Sequence, residues 1–204
     1  MKRSSRPQMA ARALVAGVAA ICAFAAPARA QQSPPSVNAA DAQFMSGMLM
    51  HHAQAVVMGD WAPSHGASKD VALLCRRIAI SQRDEIKTMA NWLSQHGLPV
   101  PDTNIVMGDT LPGAPQPMLM QGMLTGSQLV ELRAAQGPAF DRLFLEDMIY
   151  HHTGAVVMVN DLLKAPGAAQ DPLVYELANE ISAGQLVEIH RMQALLATLS
   201  FGTH

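Results

Sequence analysis

The chain has 204 residues, with 14 Lys and Arg against 16 Asp and Glu, and a formal net charge of −2 at pH 7. Five of the basic residues and none of the acidic ones lie in the first 30 positions, so the remainder is acidic and nucleic acid is excluded as an expected partner. Of the two cysteines only Cys75 lies beyond residue 30, which excludes an internal disulfide from the remaining chain.

Residues 1–30 have the organisation of a secretory signal peptide. Basic residues precede an apolar run from Ala13 to Ala26, and Ala28-Arg29-Ala30 follows it. The run is shorter than the roughly 20 apolar residues of a membrane-spanning helix, and no later segment is long and uncharged enough. We predict cleavage near Ala30, a periplasmic or secreted location, a protein that does not span the membrane, and a single mature domain over 31–204.

The rest of the chain contains an internal repeat. Residues 41–58 share an Asp, a Phe, a Met, a His pair and an Ala-Val-Val-Met ending with residues 141–158, and a second block at 78–89 recurs at 181–192. The second copy has three more residues between its two blocks, and we place them in the intervening loop. Each copy has two segments, a pattern that predicts a duplicated helical hairpin.

Capping and breaking residues set the expected helix limits. Asn38 resembles an N-cap, Gly97 and Pro99 end a helix, Pro138 begins one, and Asp171-Pro172 is a cap followed by proline. The predicted helices are 38–59, 68–96, 138–164 and 171–199, with a short helix over 125–135. The predicted fold is all-α: a ferritin-like four-helix bundle of two duplicated hairpins, repeat one at 38–97 and repeat two at 138–200, joined by a Pro-rich crossover at 98–137.

The repeated face of each first helix holds residues that are unusual in a core. A pseudo-twofold bundle would bring both His pairs together, with one His of each pair facing the bundle axis and the other reaching the neighbouring helix. A buried imidazole needs a hydrogen-bond partner or a metal. The duplicated pattern of His and Met therefore predicts a metal site built from His51, His52, His151 and His152 with Met48, Met58, Met148 and Met158.

Ligand softness ranks the candidate metals. Thioether and imidazole suit copper, and thioether in particular suits Cu(I). Silver and zinc are alternative ions, although zinc would use only the histidines. A di-iron site is disfavoured because it needs Glu-x-x-His from two helices, and Glu85 and Glu188 lack a His three residues on. Additional or supporting ligands are Glu85, Glu188, Met89, Met192 and Met45.

A metal-free alternative stays open at this point. Glu85 and Glu188 could pair with the histidines and make purely structural contacts, and methionines at helical spacing are often packing residues. The protein would then be a structural or partner-binding bundle.

Other residues give weaker signals. Met118, Met120 and Met123, at the end of the crossover, are either a thioether clamp for Cu(I) or an apolar patch over the bundle. His190 lies either beside the site or at its rim. Cys75 is expected in the core, whereas His65, His96 and His204 are expected to be exposed because of their places in a loop, near a helix end and at the terminus.

The two His-pair blocks, together with the Gln-x2-Glu-Ile-x2-Met block that follows each, resemble the domain-of-unknown-function 305 family (DUF305). The resemblance covers nearly all of the mature chain. It implies a ferritin-like bundle and, as in some members, periplasmic copper binding linked to copper resistance, with the His pairs and their flanking Met as matching positions. Leu145 and Tyr150 replace the Met45 and Met50 of repeat one, so the first repeat is expected to bind more strongly.

These observations predict copper sequestration, resistance or delivery to a copper-accepting envelope protein. No nucleophile elbow, phosphate-binding loop or CxxC motif is present in the sequence. A redox enzyme also needs an open coordination position and a poised proton carrier. The expectation is therefore a binding protein and not an enzyme.

Overall fold

The structure is a computed structural model that describes residues 37–104 and 119–201, with side chains up to residue 199. The described chain forms five helices: α1 Ala39–Asp60, α2 Lys69–Gln95, α3 Gly126–Ala134, α4 Gly137–Lys164 and α5 Pro172–Phe201. This confirms the predicted all-α fold and the short fifth helix. The predicted signal peptide, Met118 and His204 lie outside the described residues.

The helices begin and end at the residues that the sequence indicates. Asn38 caps α1 by accepting a hydrogen bond from the Ala40 N–H. Asp171 caps α5 through the N–H groups of Leu173 and Val174, with Pro172 as the first helical residue. Gly97 ends α2 with a φ of 68°, in the left-handed region where a residue without Cβ is unstrained. These caps satisfy backbone groups that a helix end leaves without partners.

The bundle is built from two hairpins. α1 packs along α2 and α4 packs along α5, while the hairpins meet chiefly through α1 and α4. α2 and α5 touch only briefly, so a groove separates them. Within the described ranges, no helix is both long enough and apolar enough to cross a membrane.

Most buried apolar residues of the described chain belong to two clusters, and a polar layer lies between these two. The first cluster joins Phe44 and Met48, which precede the His pair of α1, to Ala155 and Val159, which follow the His pair of α4. The second cluster reverses this order, since it joins Met58 of α1 to Phe140 and Met148 of α4. α1 and α4 are therefore antiparallel, and both His pairs lie at the level between the two clusters.

The three additional residues of repeat two do not lengthen a loop, and that prediction was wrong. The connection between α1 and α2 is residues 61–68, and the connection between α4 and α5 is residues 165–171. Helix α4 instead continues for one more turn, which buries Leu162 in the first apolar cluster. In repeat one, Pro63 stands at the corresponding place, where it cannot continue the helical hydrogen bonds.

Each of the repeated aspartates, Asp41 and Asp141, accepts a hydrogen bond from the loop of the other hairpin. The Asp141 carboxylate of α4 accepts two hydrogen bonds from the Ser68 N–H, at 3.1 and 3.2 Å, and Asp41 of α1 accepts one from the Ala169 N–H at 2.7 Å. Both carboxylates are buried, so losing either bond would strand a polar group. The two hairpins are thereby joined by polar contacts as well as by their apolar faces.

Candidate metal centre

Four fully buried imidazoles form the polar layer at the middle of the bundle, which we call the histidine layer: His51, His52, His151 and His152. The rings of His51 and His151 face each other across the α1–α4 interface, with centroids 3.8 Å apart. Within each pair, the centroids are 6.3 Å apart in α1 and 6.2 Å apart in α4. As predicted, one His of each pair points to the bundle axis and the other to the neighbouring helix.

The two outer histidines are each held by a glutamate. His52 Nε2–H donates to Glu85 Oε2 of α2 at 2.6 Å, and His152 Nε2–H donates to Glu188 Oε2 of α5 at 2.7 Å. A carboxylate accepts and does not donate, so each imidazole carries its proton on Nε2. The lone pair of each outer histidine therefore lies on Nδ1, inside the bundle.

The inner histidines differ from each other. His51 Nε2–H donates to the backbone carbonyl of Gln121 at 2.9 Å, which leaves its lone pair on Nδ1 as well. His151 has no hydrogen-bond partner on either ring nitrogen among the described residues. Among the described residues, the crossover bonds the layer through the ring of His51.

That part of the crossover, residues 119–124, is fixed to both α1 and α4. Gln54 of α1 bonds Leu124 twice, accepting from its N–H at 2.7 Å and donating to its carbonyl at 3.1 Å. On the α4 side, a Cβ on Gly154 would lie 2.1 Å from the Gln121 carbonyl oxygen, an overlap that only glycine avoids. Gly122 makes the same approach from the other side, with a φ of 82°.

Burial disfavours the charged form of three of these histidines, His51, His151 and His152. Desolvation lowers the pKa of His51 to about 3, with a further lowering from the nearby His52. Desolvation likewise lowers the pKa of His151 well below its ordinary value, followed by the effect of His51. It also lowers the pKa of His152, although the hydrogen bond to Glu188 opposes the shift. Neutral imidazole is the form that binds a metal ion.

Two buried glutamines lie one helical turn from the glutamates that hold the outer histidines, and the sequence interpretation missed them as candidate ligands. Gln82 lies one turn before Glu85, and Gln185 lies one turn before Glu188. Both side chains are buried. The amide nitrogen and oxygen of Gln82 have no hydrogen-bond partner among the described residues, and the same holds for the amide oxygen of Gln185. The signal was present, because both glutamines recur at the same place in the repeat.

The described residues supply donor atoms that suit a metal ion, but these atoms are not arranged as a complete coordination site. In 37–104 and 119–201, no three His, Cys, Asp or Glu side chains are grouped as a metal site. However, the Nδ1 atoms of all four histidines are buried without a hydrogen-bond partner in that part of the chain. A carboxylate on the far nitrogen of a histidine is the usual support for a metal-ligating imidazole. Binding would therefore recruit thioether or amide ligands, or turn the imidazole rings.

The predicted thioether ligands lie at different depths. Met48, Met58 and Met148 are fully buried, with Met48 in the first apolar cluster and the other two in the second. Met158 is only half-buried and lies with Met120 beside Gly47. The remaining three, Met45, Met89 and Met192, are fully buried.

Glu85 and Glu188 connect the buried layer to the surface. Their side chains are 23% and 20% exposed, whereas the imidazoles that they hold are fully buried. Glu85 also lines the groove between α2 and α5, together with Asp84, Glu176 and Glu180. The outer histidines are therefore one side chain away from solvent.

The lesser candidates separate into core and surface. Cys75 is buried as predicted, and desolvation followed by the charge of Asp141 raises the pKa of its thiol to about 12. The expectation that His65 is exposed was wrong: it is 8% exposed, because its Nε2 donates to the Arg133 carbonyl and its ring packs near Phe140. His96 and His190 are exposed.

The fold and the site define a class: an all-helical bundle with a buried, duplicated histidine–glutamate layer. A family model described as "Domain of unknown function (DUF305)" matches residues 41–196, and the chain belongs to that family. No curated protein matches the chain significantly.

Several solved structures are similar to the chain. A DUF305 protein from Streptomyces coelicolor is 28% identical, with a TM-score of 0.67, over 79% of this chain and 94% of that one. A DUF305 fragment from Deinococcus radiodurans is 30% identical, with a TM-score of 0.65, over 78% and 97%. CopM in its Cu(II)-bound form is 30% identical, with a TM-score of 0.62, over 78% and 96%, and CopM structures with Cu(I) and Ag also match.

Proposed function

We propose that this protein binds copper ions in the bacterial envelope, through the histidine layer and nearby thioethers, in order to sequester copper or deliver it to another protein. One observation carries the proposal. His51, His52 and His152 each have Nε2 bound to an acceptor, which leaves a buried Nδ1 without a hydrogen-bond partner among the described residues. Soft imidazole and thioether donors of this kind favour copper over hard cations.

The comparison with CopM supports the choice of metal. That protein has been crystallised with Cu(I), with Cu(II) and with Ag, and it covers most of this chain. The signal-peptide features of residues 1–30 support export, and the Streptomyces coelicolor relative is assigned as a secreted protein. An envelope protein with soft donors would meet copper before it reaches the cytoplasm.

Competition for Cu(I) against a chromogenic chelator tests the proposal. The variant His51→Gln/His151→Gln removes the inner pair, and His96→Gln/His190→Gln is the matched control because both of those residues lie outside the histidine layer. The parent and the control should bind Cu(I) more tightly than about micromolar, and the inner-pair variant should lose at least about tenfold in affinity. Equal affinity in all three proteins would refute a copper site at the inner pair.

The metal-free structural bundle is the second candidate, and the two short His–Glu contacts favour it, since they hold the outer histidines without any ion. The candidates differ in thermal unfolding. A ligand that binds only the folded state raises the unfolding temperature, so copper should raise it, whereas the structural alternative predicts no change. We further propose that the bound copper is not turned over, and sustained oxidation of a phenolic substrate by the loaded protein would contradict that.

A further inference from the structure

Thioethers also converge outside the histidine layer, at the surface where residues 119–124 cross α1. A Cβ on Gly47 of α1 would lie 2.9 Å from the sulfur of Met120 and 3.6 Å from the terminal methyl of Met158. Met120 comes from the crossover and Met158 from α4, so two distant parts of the chain meet over a residue that has no side chain. Of the Met120 atoms, the sulfur lies nearest to the position that this Cβ would take.

A third thioether joins them from α1. Met50 lies three residues after Gly47, so both share one face of the helix. Met50 and Met120 pack against the same pair of buried residues, Ala53 and Met123. Met50, Met120 and Met158 are all half-buried, unlike Met48, Met58 and Met148 in the core.

Gly47 leaves space on α1 for the Met120 side chain. Glycine in the middle of a helix is less favourable than alanine, yet alanine at position 47 would place a Cβ against the Met120 sulfur. Repeat two lacks the glycine and the methionine of this cluster, because Asp147 and Tyr150 occupy the positions of Gly47 and Met50. The bundle fold therefore does not require these thioethers.

We infer that the sulfur atoms of Met50, Met120 and Met158 form an outer site for a soft monovalent cation, Cu(I) or Ag(I), separate from the histidine layer. Thioether sulfur is neutral and polarisable, prefers such ions, and has no proton to lose on binding. The site is connected to His51, since Gly47 lies one turn before His51 and the His51 ring bonds the carbonyl of Gln121, the residue after Met120. Its position suits capture at the surface, ahead of the buried imidazoles.

Silver titration of protein labelled with ¹³C at the methionine methyl groups tests the inference, since Ag(I) does not change oxidation state. The methyl signals of Met50, Met120 and Met158 should shift together and saturate first, while that of the fully buried Met89 should not move with them. The same shifts should occur in the His51→Gln/His151→Gln variant. Unmoved signals, or equal shifts with Zn(II), would overturn the site.

A variant provides the second measurement. Met50→Leu/Met120→Leu/Met158→Leu keeps side-chain volume and should lose one bound Ag(I), or at least about tenfold in affinity at that step. Tyr150→Leu, at the repeat-two position that corresponds to Met50, should bind as the parent does. Unchanged stoichiometry in the folded triple variant would overturn the inference. The outcome is distinct from that of the copper proposal, which depends on the imidazoles, and the labelled parent decides the matter if the triple variant does not fold.

Discussion

The two repeats place the same residues at the same level of the bundle but give them different surroundings. The outer histidines of the two pairs have matching partners: His52 bonds Glu85 at 2.6 Å and His152 bonds Glu188 at 2.7 Å. The inner histidines differ, because His51 bonds the Gln121 carbonyl and His151 has no such partner among the described residues. Sequence duplication has therefore produced a pseudo-symmetric support around an asymmetric centre.

One pair of equivalent positions explains the asymmetry. Residue 54 of α1 is a glutamine that bonds Leu124 twice, whereas residue 154 of α4 is a glycine that lets the Gln121–Gly122 backbone approach closely. A side chain at 154 would exclude the crossover, and a glycine at 54 would leave it without its polar attachment. The two repeats have thus acquired complementary roles in holding a single segment.

Gly154→Ala should have the largest effect on this arrangement. The added Cβ would overlap the Gln121 carbonyl, so residues 119–124 must move and lose their bonds to His51 and Gln54. We expect a loss of about 3 kcal/mol in the free energy of unfolding, measured with denaturant. The matched control is Gly184→Ala, where the new Cβ meets nothing within 4 Å and should stabilise the protein by about 0.5–1 kcal/mol. Similar effects of the two substitutions would contradict the close approach.

Acidification should destabilise the metal-free protein through its inner histidines. Desolvation lowers the folded-state pKa of His51 to about 3 and that of His151 well below its ordinary value, so below pH 6.5 the unfolded chain binds protons that the folded one does not. Stability should therefore be present above pH 6.5 and be lost as the pH falls from 6.5 towards 3. Together the two groups should remove about 3 kcal/mol between about pH 5.5 and pH 4.5.

Denaturant unfolding at several pH values measures this loss. His51→Gln/His151→Gln should flatten the profile by that amount. Each single variant should flatten it by about half, because desolvation is the largest cause of the lowered pKa at both imidazoles. Parallel profiles for the parent and the double variant would show that the inner rings are hydrated or charged in the folded protein.

Periodicity and capping residues were sufficient to predict the helices, because Asn38, Gly97 and Asp171 act locally. The division of each His pair into an inner and an outer ring also followed from helical geometry. The contact of His51 with Gln121 did not, since it depends on where a non-repeated crossover lies against the bundle. The burial of His65 did not follow from the sequence either, because its ring bonds a carbonyl of α3 that lies 68 residues away in sequence. Contacts of that kind leave no periodic signal in the chain.

The outer pairs should show the smallest effects on stability and the most equal ones. Glu85→Ala and Glu188→Ala each leave a buried imidazole N–H without its acceptor, and we expect about 1–2 kcal/mol of destabilisation from either, because both carboxylates are partly exposed and water can replace them in part. Metal affinity should respond as well. Glu85→Gln and Glu188→Gln keep an acceptor oxygen but remove its charge, which lowers the basicity of the imidazole, so Cu(I) affinity should fall by about 10-fold or more. Chelator competition on the two Gln variants, beside Glu180→Gln in the same groove as a control, measures this. Equal losses at Glu85 and Glu188 would mean that both repeats support one shared metal site, whereas a loss at Glu85 alone would assign copper to the repeat whose inner histidine the crossover covers.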